Sequence, residues 1–325
     1  MGAAFFYSPM QVFDDFFAIL AAQPALFIGI CVALGLMIGS FLNVVVYRMP
    51  LMIERAMRKE CADLAVSDAY VARGEKPPAI IEETEKKPAF NIIVPRSACP
   101  KCHAPITALQ NIPVVSWLAL KGKCANCKAP ISKRYPLVEL FTGIASGLIA
   151  WRFGFGLLAL AGLFFTWSLI ALTLIDLDAF LLPDQITLPL VWAGLLLSTT
   201  HPVWAPDADP VTPVMSIVGA TAGYLSLWSV YWIHKLIRNR EGFGYGDFKL
   251  LAAFGAWFGW KMLLPIILFS SLVGSVIGIY VLYRQRKGLD MHIPFGPYLA
   301  IAGWLFLLIG HDVVDRYLAM AAPHR

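Results

Sequence analysis

The sequence predicts an all-α polytopic membrane protein. Of its 325 residues, 58% are hydrophobic and only 14% are charged, and the mean hydropathy is +0.68. This composition leaves too little polar surface for a water-soluble globule. Apolar stretches of about 20 residues, enough for a helix to cross the hydrocarbon core, recur along the chain, and the sequence lacks the alternation of β-barrel strands. We therefore expect about eight transmembrane helices.

Seven long apolar stretches and one short stretch are the expected spans. They lie at residues 16–47 (in part), 136–151, 155–175, 185–200, 213–234, 262–283 and 293–310, with the short one at 250–260. Because about 11 residues reach only about 16 Å as a helix, the short stretch is either a full pass or a re-entrant half-helix. The chain start has neither a basic region nor a small-residue cleavage site, so we expect the first span to remain as an anchor.

The distribution of basic residues predicts the orientation. More than half of all Lys and Arg residues lie between Arg48 and Arg134, many of them next to the flanking spans. The positive-inside rule therefore places this loop in the cytoplasm and the N-terminus outside. Carried along the chain, this orientation puts Asp176 and Asp247 on the cytoplasmic face, whether 250–260 is a full pass or re-entrant.

The positions of the apolar spans and of the basic residues together predict that the chain has three parts. Residues 1–47 hold the first transmembrane segment, 48–135 form a small cytoplasmic domain between the first and second spans, and 136–325 form the main membrane-embedded domain. Within the cytoplasmic domain, residues 52–87 are charged with mixed sign, which is typical of a solvated insertion without chemistry.

Four cysteines of the cytoplasmic domain form two Cys-x-x-Cys knuckles separated by 21 residues: Cys99, Cys102, Cys124 and Cys127. This spacing is close to that of four-thiolate zinc sites, which are closed and structural. A redox pair or disulfides are the alternative, and the expected cytoplasmic side disfavours disulfides. We expect residues 110–117, between the knuckles, to form the core of this domain, with a binding surface as the alternative.

Acidic residues mark the rims of two spans. Asp176, Asp178 and Asp184 follow one apolar span, and Asp247 lies in the glycine-rich stretch 242–249 before another apolar segment. Positions two apart on a helix point in different directions, so Asp176 is a better partner for Asp247 than for Asp178. Two close carboxylates share one proton, as in aspartic proteases, where one acid activates water and the other protonates the substrate. We expect the glycines to admit an extended peptide.

An ion-conducting alternative also fits some of these residues. The letters of residues 244–247, Gly-Tyr-Gly-Asp, occur in potassium-channel selectivity filters. A filter follows an apolar pore helix within the membrane, whereas this stretch follows polar residues 235–241. A transporter or channel with a zinc-bound cytoplasmic domain remains the alternative to an enzyme.

Six motifs in order resemble the bacterial type IV prepilin peptidases, bifunctional leader peptidases and N-methyltransferases among the glycine-x-glycine-aspartate aspartyl proteases. They lie at residues 39–48, 95–102, 131–139, 176–184, 244–247 and 293–298. The resemblance covers most of the chain, apart from a charged insertion around residues 51–89.

This resemblance implies that Asp176 and Asp247 are the catalytic residues. It also implies prepilin or pseudopilin substrates, whose positively charged leader is removed at the cytoplasmic face of the bacterial inner membrane. The new N-terminal residue is expected to be methylated with S-adenosylmethionine, and no nucleic-acid partner is expected. Glu139 is a candidate for the methyl-transfer site, and an ordinary helix-end residue is the alternative.

Overall fold

A computed structural model describes residues 9–72, 90–205, 209–238, 244–285 and 294–310. Its helices are α1 (Pro9–Ala22), α2 (Pro24–Ala72), α3 (Val115–Ala119), α4 (Arg134–Phe153), α5 (Leu157–Ala179), α6 (Asp184–Ser198), α7 (Pro213–Arg238), α8 (Tyr245–Phe258), α9 (Leu263–Gln285) and α10 (Gly296–Leu305). Within these ranges no β-strand forms, and the bridges between knuckle residues are isolated pairs. The all-α prediction is confirmed.

Four helical segments in the described part of the chain are long and apolar enough to cross a membrane. They are Pro24–Leu64, Leu157–Ala179, Pro213–Ile237 and Trp260–Val281. The remaining expected spans coincide with shorter or more polar helices, so a total of eight stays a prediction. The predicted stretch 16–47 holds parts of two helices, because Pro24 starts α2 with its fixed φ and missing N–H.

The chain divides into two compact units. One, here called the membrane unit, combines Met1–Gly39 with Glu139–Arg325, and the other, here called the cysteine unit, is Ser40–Val138. The predicted boundaries at 47 and 135 stay a prediction.

Helix α8 is the centre of the membrane unit. Every residue from Leu250 to Phe258 is buried, so the short apolar stretch is an internal helix. Three hydrogen bonds, each from a side chain to a backbone carbonyl, hold its C-terminal end. Trp257 Nε1 donates to Leu190 O of α6 at 2.8 Å, and Ser216 Oγ of α7 donates to Ala256 O at 2.6 Å. Trp204 Nε1 donates to Trp257 O at 2.9 Å.

Glycines bring α7 and α8 into backbone contact. A Cβ on Gly223 would lie 2.6 Å from Leu251 O, and a Cβ on Gly255 would overlap the Gly219 carbonyl. Small residues at such contacts let membrane helices approach closely and gain van der Waals packing. The packing fixes α8, and with it the carboxylate near its N-terminus, against α7.

The cysteine unit has almost no apolar core between its knuckles. None of residues 110–117 is buried, and Trp117 is only half-buried, with its ring against Gly122. The prediction that this stretch forms a core is therefore wrong. Residues 90–134 alone are too few to bury enough apolar surface, so a cross-link such as a metal site would stabilise this part of the unit.

Candidate functional site

Asp176 lies in the last turn of α5. The helix ends directly after it, because Phe180 adopts a left-handed conformation (φ 52°) and its N–H donates to Asp176 O at 2.9 Å. The Asp176 side chain is buried, with 6% of its surface exposed, whereas Asp178 is exposed. The two acids thus lie in different environments, as their helical spacing predicts.

Asp247 lies in the first turn of α8 and is also buried, with 7% of its surface exposed. Gly244 caps the helix with extended backbone (φ −79°, ψ 145°), and the Asp247 N–H donates to Gly244 O at 3.2 Å. The partial positive charge of the helix N-terminus favours a carboxylate at this position.

The structure brings Asp176 and Asp247 together. Their carboxyl groups are close enough to interact electrostatically, and Leu182 packs beside both. A Cβ on Gly246, next to Asp247, would lie 2.5 Å from Leu182 Cβ, and one on Gly296, next to Asp176, would lie 3.2 Å from Leu182 Cδ1. The ends of α5, α8 and α10 therefore meet at one buried pair of acids.

Gly296, at the start of α10, contacts Asp176 directly. A Cβ at this position would lie 2.5 Å from Asp176 Oδ2 and 3.2 Å from Asp176 Cγ. The sequence marked residues 293–298 as a motif but gave Gly296 no role. Only the folded chain shows that this glycine leaves room for the acid.

Asp247 Oδ1 is buried and has no hydrogen-bond partner among the described residues. A buried polar atom without a partner costs about 1–3 kcal/mol, so such atoms are rare outside functional sites. A water molecule or a shared proton at Oδ1 would satisfy it.

Asp184 and Lys249 form an ion pair at the edge of this site. Lys249 Nζ lies 2.6 Å from Asp184 Oδ1 and 2.8 Å from Oδ2, and it joins the first residue of α6 to the first half of α8. The Asp184 carboxylate is therefore paired with Lys249. Sequence reasoning noted both residues without pairing them, since no local pattern links positions this far apart.

The glycines near Asp247 have different surroundings. The space beside Gly246 is filled by Leu182, so this glycine serves close packing and does not open a path for a peptide. Gly244 is exposed, and the nearest atom to a Cβ there is Asp247 Oδ2 at 3.6 Å. Of these two glycines, only Gly244 has open space beside it, so the expectation that glycines admit a substrate stays a prediction for Gly244. Gly242 lies outside the described residues.

The four predicted cysteines meet in the cysteine unit. The sulfur atoms of Cys99, Cys102, Cys124 and Cys127 all lie within 4.8 Å of one another, and none forms a disulfide. In a tetrahedral site with metal–sulfur bonds of about 2.3 Å, the sulfur atoms are about 3.8 Å apart. Cys99 Sγ and Cys127 Sγ are 3.8 Å apart. The donor set fits zinc in both chemistry and spacing.

The two knuckles repeat the same backbone structure. Cys99 N–H donates to Ala104 O at 3.0 Å, and the equivalent Cys124 N–H donates to Ala129 O at 2.8 Å. His103 and Lys128, the residues after each second cysteine, both have positive φ, 57° and 58°. Each knuckle is followed by Ala-Pro-Ile. The sequence analysis missed this short internal repeat, although the repeated tripeptide was a visible signal.

The surroundings of the four thiols shift their pKa values in different directions. Backbone N–H groups lower the pKa of Cys99, Cys102 and Cys124. For Cys127, the Ala129 N–H also lowers the pKa, but desolvation and the other three thiols outweigh it and raise the pKa to about 11. A cation among the sulfur atoms would offset their mutual repulsion.

Glu139 is buried in the first half of α4, with 8% of its surface exposed. Its Cα lies against α2, 2.7 Å from where a Cβ on Gly39 would stand. The proposed link of Glu139 to methyl transfer stays a prediction.

Comparisons with known proteins identify the family of the chain. The description "Bacterial Peptidase A24 N-terminal domain" matches residues 33–153, and "Type IV leader peptidase family" matches residues 163–279, which include Asp176 and Asp247. No solved structure shows a significant match to the chain.

Curated relatives match over nearly the full length. A protein of Stutzerimonas stutzeri is 47% identical over 93% of this chain and 97% of its own. One of Pseudomonas aeruginosa is 48% identical with the same coverage, and one of Neisseria gonorrhoeae is 44% identical over 86% of this chain and 90% of its own. All three are named "Prepilin leader peptidase/N-methyltransferase". With its buried acids, its cysteine cluster and these relatives, the chain belongs to the prepilin leader peptidase/N-methyltransferase family.

Proposed function

We propose that this enzyme removes the leader peptide from type IV prepilins or pseudopilins and N-methylates the new N-terminal residue. The observation that carries the proteolytic half is the pair of buried, interacting carboxyl groups of Asp176 and Asp247 at the ends of α5 and α8. The relatives' names support both halves.

In the proposed cleavage, the two acids share one proton. The ionised carboxylate removes a proton from a water molecule, whose oxygen bonds to the scissile carbonyl carbon, while the protonated acid gives its proton to the carbonyl oxygen. The tetrahedral intermediate then collapses. Its carbon–nitrogen bond breaks as the acid that took the water proton passes it to the leaving nitrogen, and the other acid regains its proton from a hydroxyl group of the intermediate. The products are a free carboxyl group and a free amine, and the pair again holds one proton. The unpartnered Asp247 Oδ1 is the proposed contact for this water.

Cleavage is proposed at the cytoplasmic face of the bacterial inner membrane. The support is the concentration of Lys and Arg between Arg48 and Arg134, which favours a cytoplasmic cysteine unit. With that orientation, the chain end of α5 that holds Asp176 lies on the same side.

S-adenosylmethionine is the proposed methyl donor, and it would supply an electrophilic methyl group to the new amine. The described residues contain no glycine-rich strand-to-helix turn, which soluble enzymes use to bind nucleotide-like cofactors. The residues present therefore do not fit that mode of binding, and no residue of this chain is assigned to the donor.

Zinc is the proposed metal of the cysteine unit. Four cysteine ligands leave no open coordination position, so the ion would cross-link residues 99–127 and would take no part in catalysis.

The proposal is tested with membranes that contain the enzyme and a type IV prepilin precursor. A shortened product that appears without methyl donor, and a methylated N-terminus that appears only with it, are the expected results. A precursor that stays intact would contradict the enzyme assignment and favour the transporter or channel alternative. A matched precursor with a lysine in place of the residue before the cleavage site controls for nonspecific proteolysis.

A further inference from the structure

Arg48 holds a loop of the cysteine unit against α2. Its guanidinium group donates hydrogen bonds to Asn91 O at 2.9 Å, Ile92 O at 3.3 Å and Pro95 O at 2.6 Å. The Arg48 residue is buried, with 8% of its surface exposed. A buried charge is stable only when its hydrogen bonds are made, and these carbonyls make them. The loop of residues 91–95 is therefore fixed to one point of α2.

The tip of this loop presents apolar side chains to the surroundings. Asn91 Oδ1 accepts the N–H groups of Ile93 at 2.8 Å and Val94 at 2.7 Å, which closes the turn from inside. The side chains point outward: 80% of Ile93 and 45% of Val94 are exposed. A rigid turn that exposes large apolar residues is a feature of contact surfaces.

The clamp places this tip near the membrane boundary. Between Asp15 and Arg48 the sequence has no charged residue, and the span Pro24–Leu64 has its apolar part before Arg48. An arginine directly after an apolar span lies at the level of the lipid headgroups. Because Arg48 bonds directly to loop 91–95, Ile93 lies close to the same level.

The charge of residues 90–138 in the cysteine unit fits an anionic lipid surface. Residues 90–138 contain no Asp or Glu. The basic residues of this stretch, all exposed, are Arg96, Lys101, Lys121, Lys123, Lys128, Lys133 and Arg134. Further apolar side chains lie exposed among them, at Leu109 (77%), Val115 (60%) and Leu118 (62%). Basic residues next to exposed apolar ones bind the headgroup region of anionic membranes, whereas a positively charged peptide would be repelled.

We propose that the cysteine unit docks on the anionic surface of its own membrane, with the Ile93–Val94 tip inserted among the lipid headgroups. Arg48 fixes the depth of the tip, and the basic residues of the acid-free stretch 90–138 supply the attraction. The docking would hold the unit at a constant position beside the span from which it emerges. This inference rests on the cysteine unit alone and does not depend on the proposed peptidase activity.

The test is photo-crosslinking of the full chain in bilayers. A benzophenone amino acid replaces Ile93 in one variant and Glu60 in another. Glu60 is an exposed control that lies about 18 Å beyond Arg48 along α2. Both proteins are irradiated in phosphatidylglycerol and in phosphatidylcholine vesicles, and lipid adducts are measured by mass spectrometry. Ile93 is exposed, so the replacement leaves folding intact.

We expect lipid adducts from position 93 and none from position 60, with a lower yield at 93 in phosphatidylcholine. Equal adducts at both positions, or none at 93, would overturn the proposal. Equal yields at 93 in the two lipids would overturn the role of charge. If position 93 crosslinks to an added prepilin precursor and not to lipid, the proposal is overturned and the tip is a substrate contact.

Discussion

Gly296 packs directly against the Asp176 carboxylate and leaves no room for a side chain between them. A single added carbon on Gly296 would lie 2.5 Å from Asp176 Oδ2 and 3.2 Å from its Cγ. The first residue of α10 thus positions an acid at the end of α5. A larger side chain at position 296 would therefore displace the Asp176 carboxylate first and the rest of the fold less.

Gly296→Ala should therefore lower cleavage strongly while the protein still inserts. The added methyl group has to displace the carboxylate, and a misplacement of about 1 Å can reduce a rate about 100-fold. Product formation per amount of inserted enzyme measures the effect. Gly29→Ala is the matched control, since a Cβ there meets nothing within 4 Å. Unchanged cleavage by Gly296→Ala would mean that Asp176 does not need its observed position.

Asp184→Asn should have a mild effect, because Asp184 pairs with Lys249 and is not part of the buried pair. The ion pair is partly exposed, with 26% of the Lys249 side chain and 52% of the Asp184 side chain accessible. Pairs of this kind contribute about 0.2–1 kcal/mol, so kcat/KM should fall by no more than about fivefold. Complete loss of cleavage would assign Asp184 a catalytic role, and rescue by exchanging the two charges would confirm that pairing is what matters.

Gly255→Ala should destabilise the membrane unit. The new methyl group would overlap the Gly219 carbonyl, so α7 and α8 would have to separate. Overpacking of this kind costs about 1–3 kcal/mol. The thermal unfolding midpoint of the purified protein in detergent should fall relative to both wild type and Gly29→Ala. An unchanged midpoint would show that the close contact of the two helices is not needed.

Replacement of Cys99 and Cys124 together by serine should remove the bound metal. We expect one zinc per chain in the wild type, none in the double variant, and faster proteolysis of the cysteine unit, because the sulfur cluster replaces an apolar core there. Cys61→Ser is the control, as Cys61 is exposed and lies outside the cluster. Metal analysis of the intact protein that finds no zinc would refute the proposed cofactor.

Local patterns predicted the elements well. The apolar stretches gave helices at nearly the expected positions, since hydrophobic runs of this length can satisfy their backbone only as helices. The two Cys-x-x-Cys motifs, which contain Cys99 and Cys124, predicted the cysteine cluster. Each motif can be recognised because it is complete within four residues.

Relations between distant elements were harder to predict. Nothing near Gly296 indicates Asp176, and nothing near Lys249 indicates Asp184, since these contacts exist only once α5, α6, α8 and α10 have packed. The error over residues 110–117 had another cause. These residues are mostly apolar, as in a core, but the segment 90–134 in which they lie is too short to bury them.

The central claim is that Asp176 and Asp247 together perform cleavage. The most direct measurement is conversion of a prepilin precursor by Asp176→Asn and Asp247→Asn, each compared with Asp178→Asn at equal amounts of inserted protein. Asparagine keeps the size of the side chain and removes the titrating group. We expect both single variants to lose cleavage, and the double variant to be no worse than either, because the two acids act as one unit. Cleavage at the wild-type rate by either single variant would contradict the account.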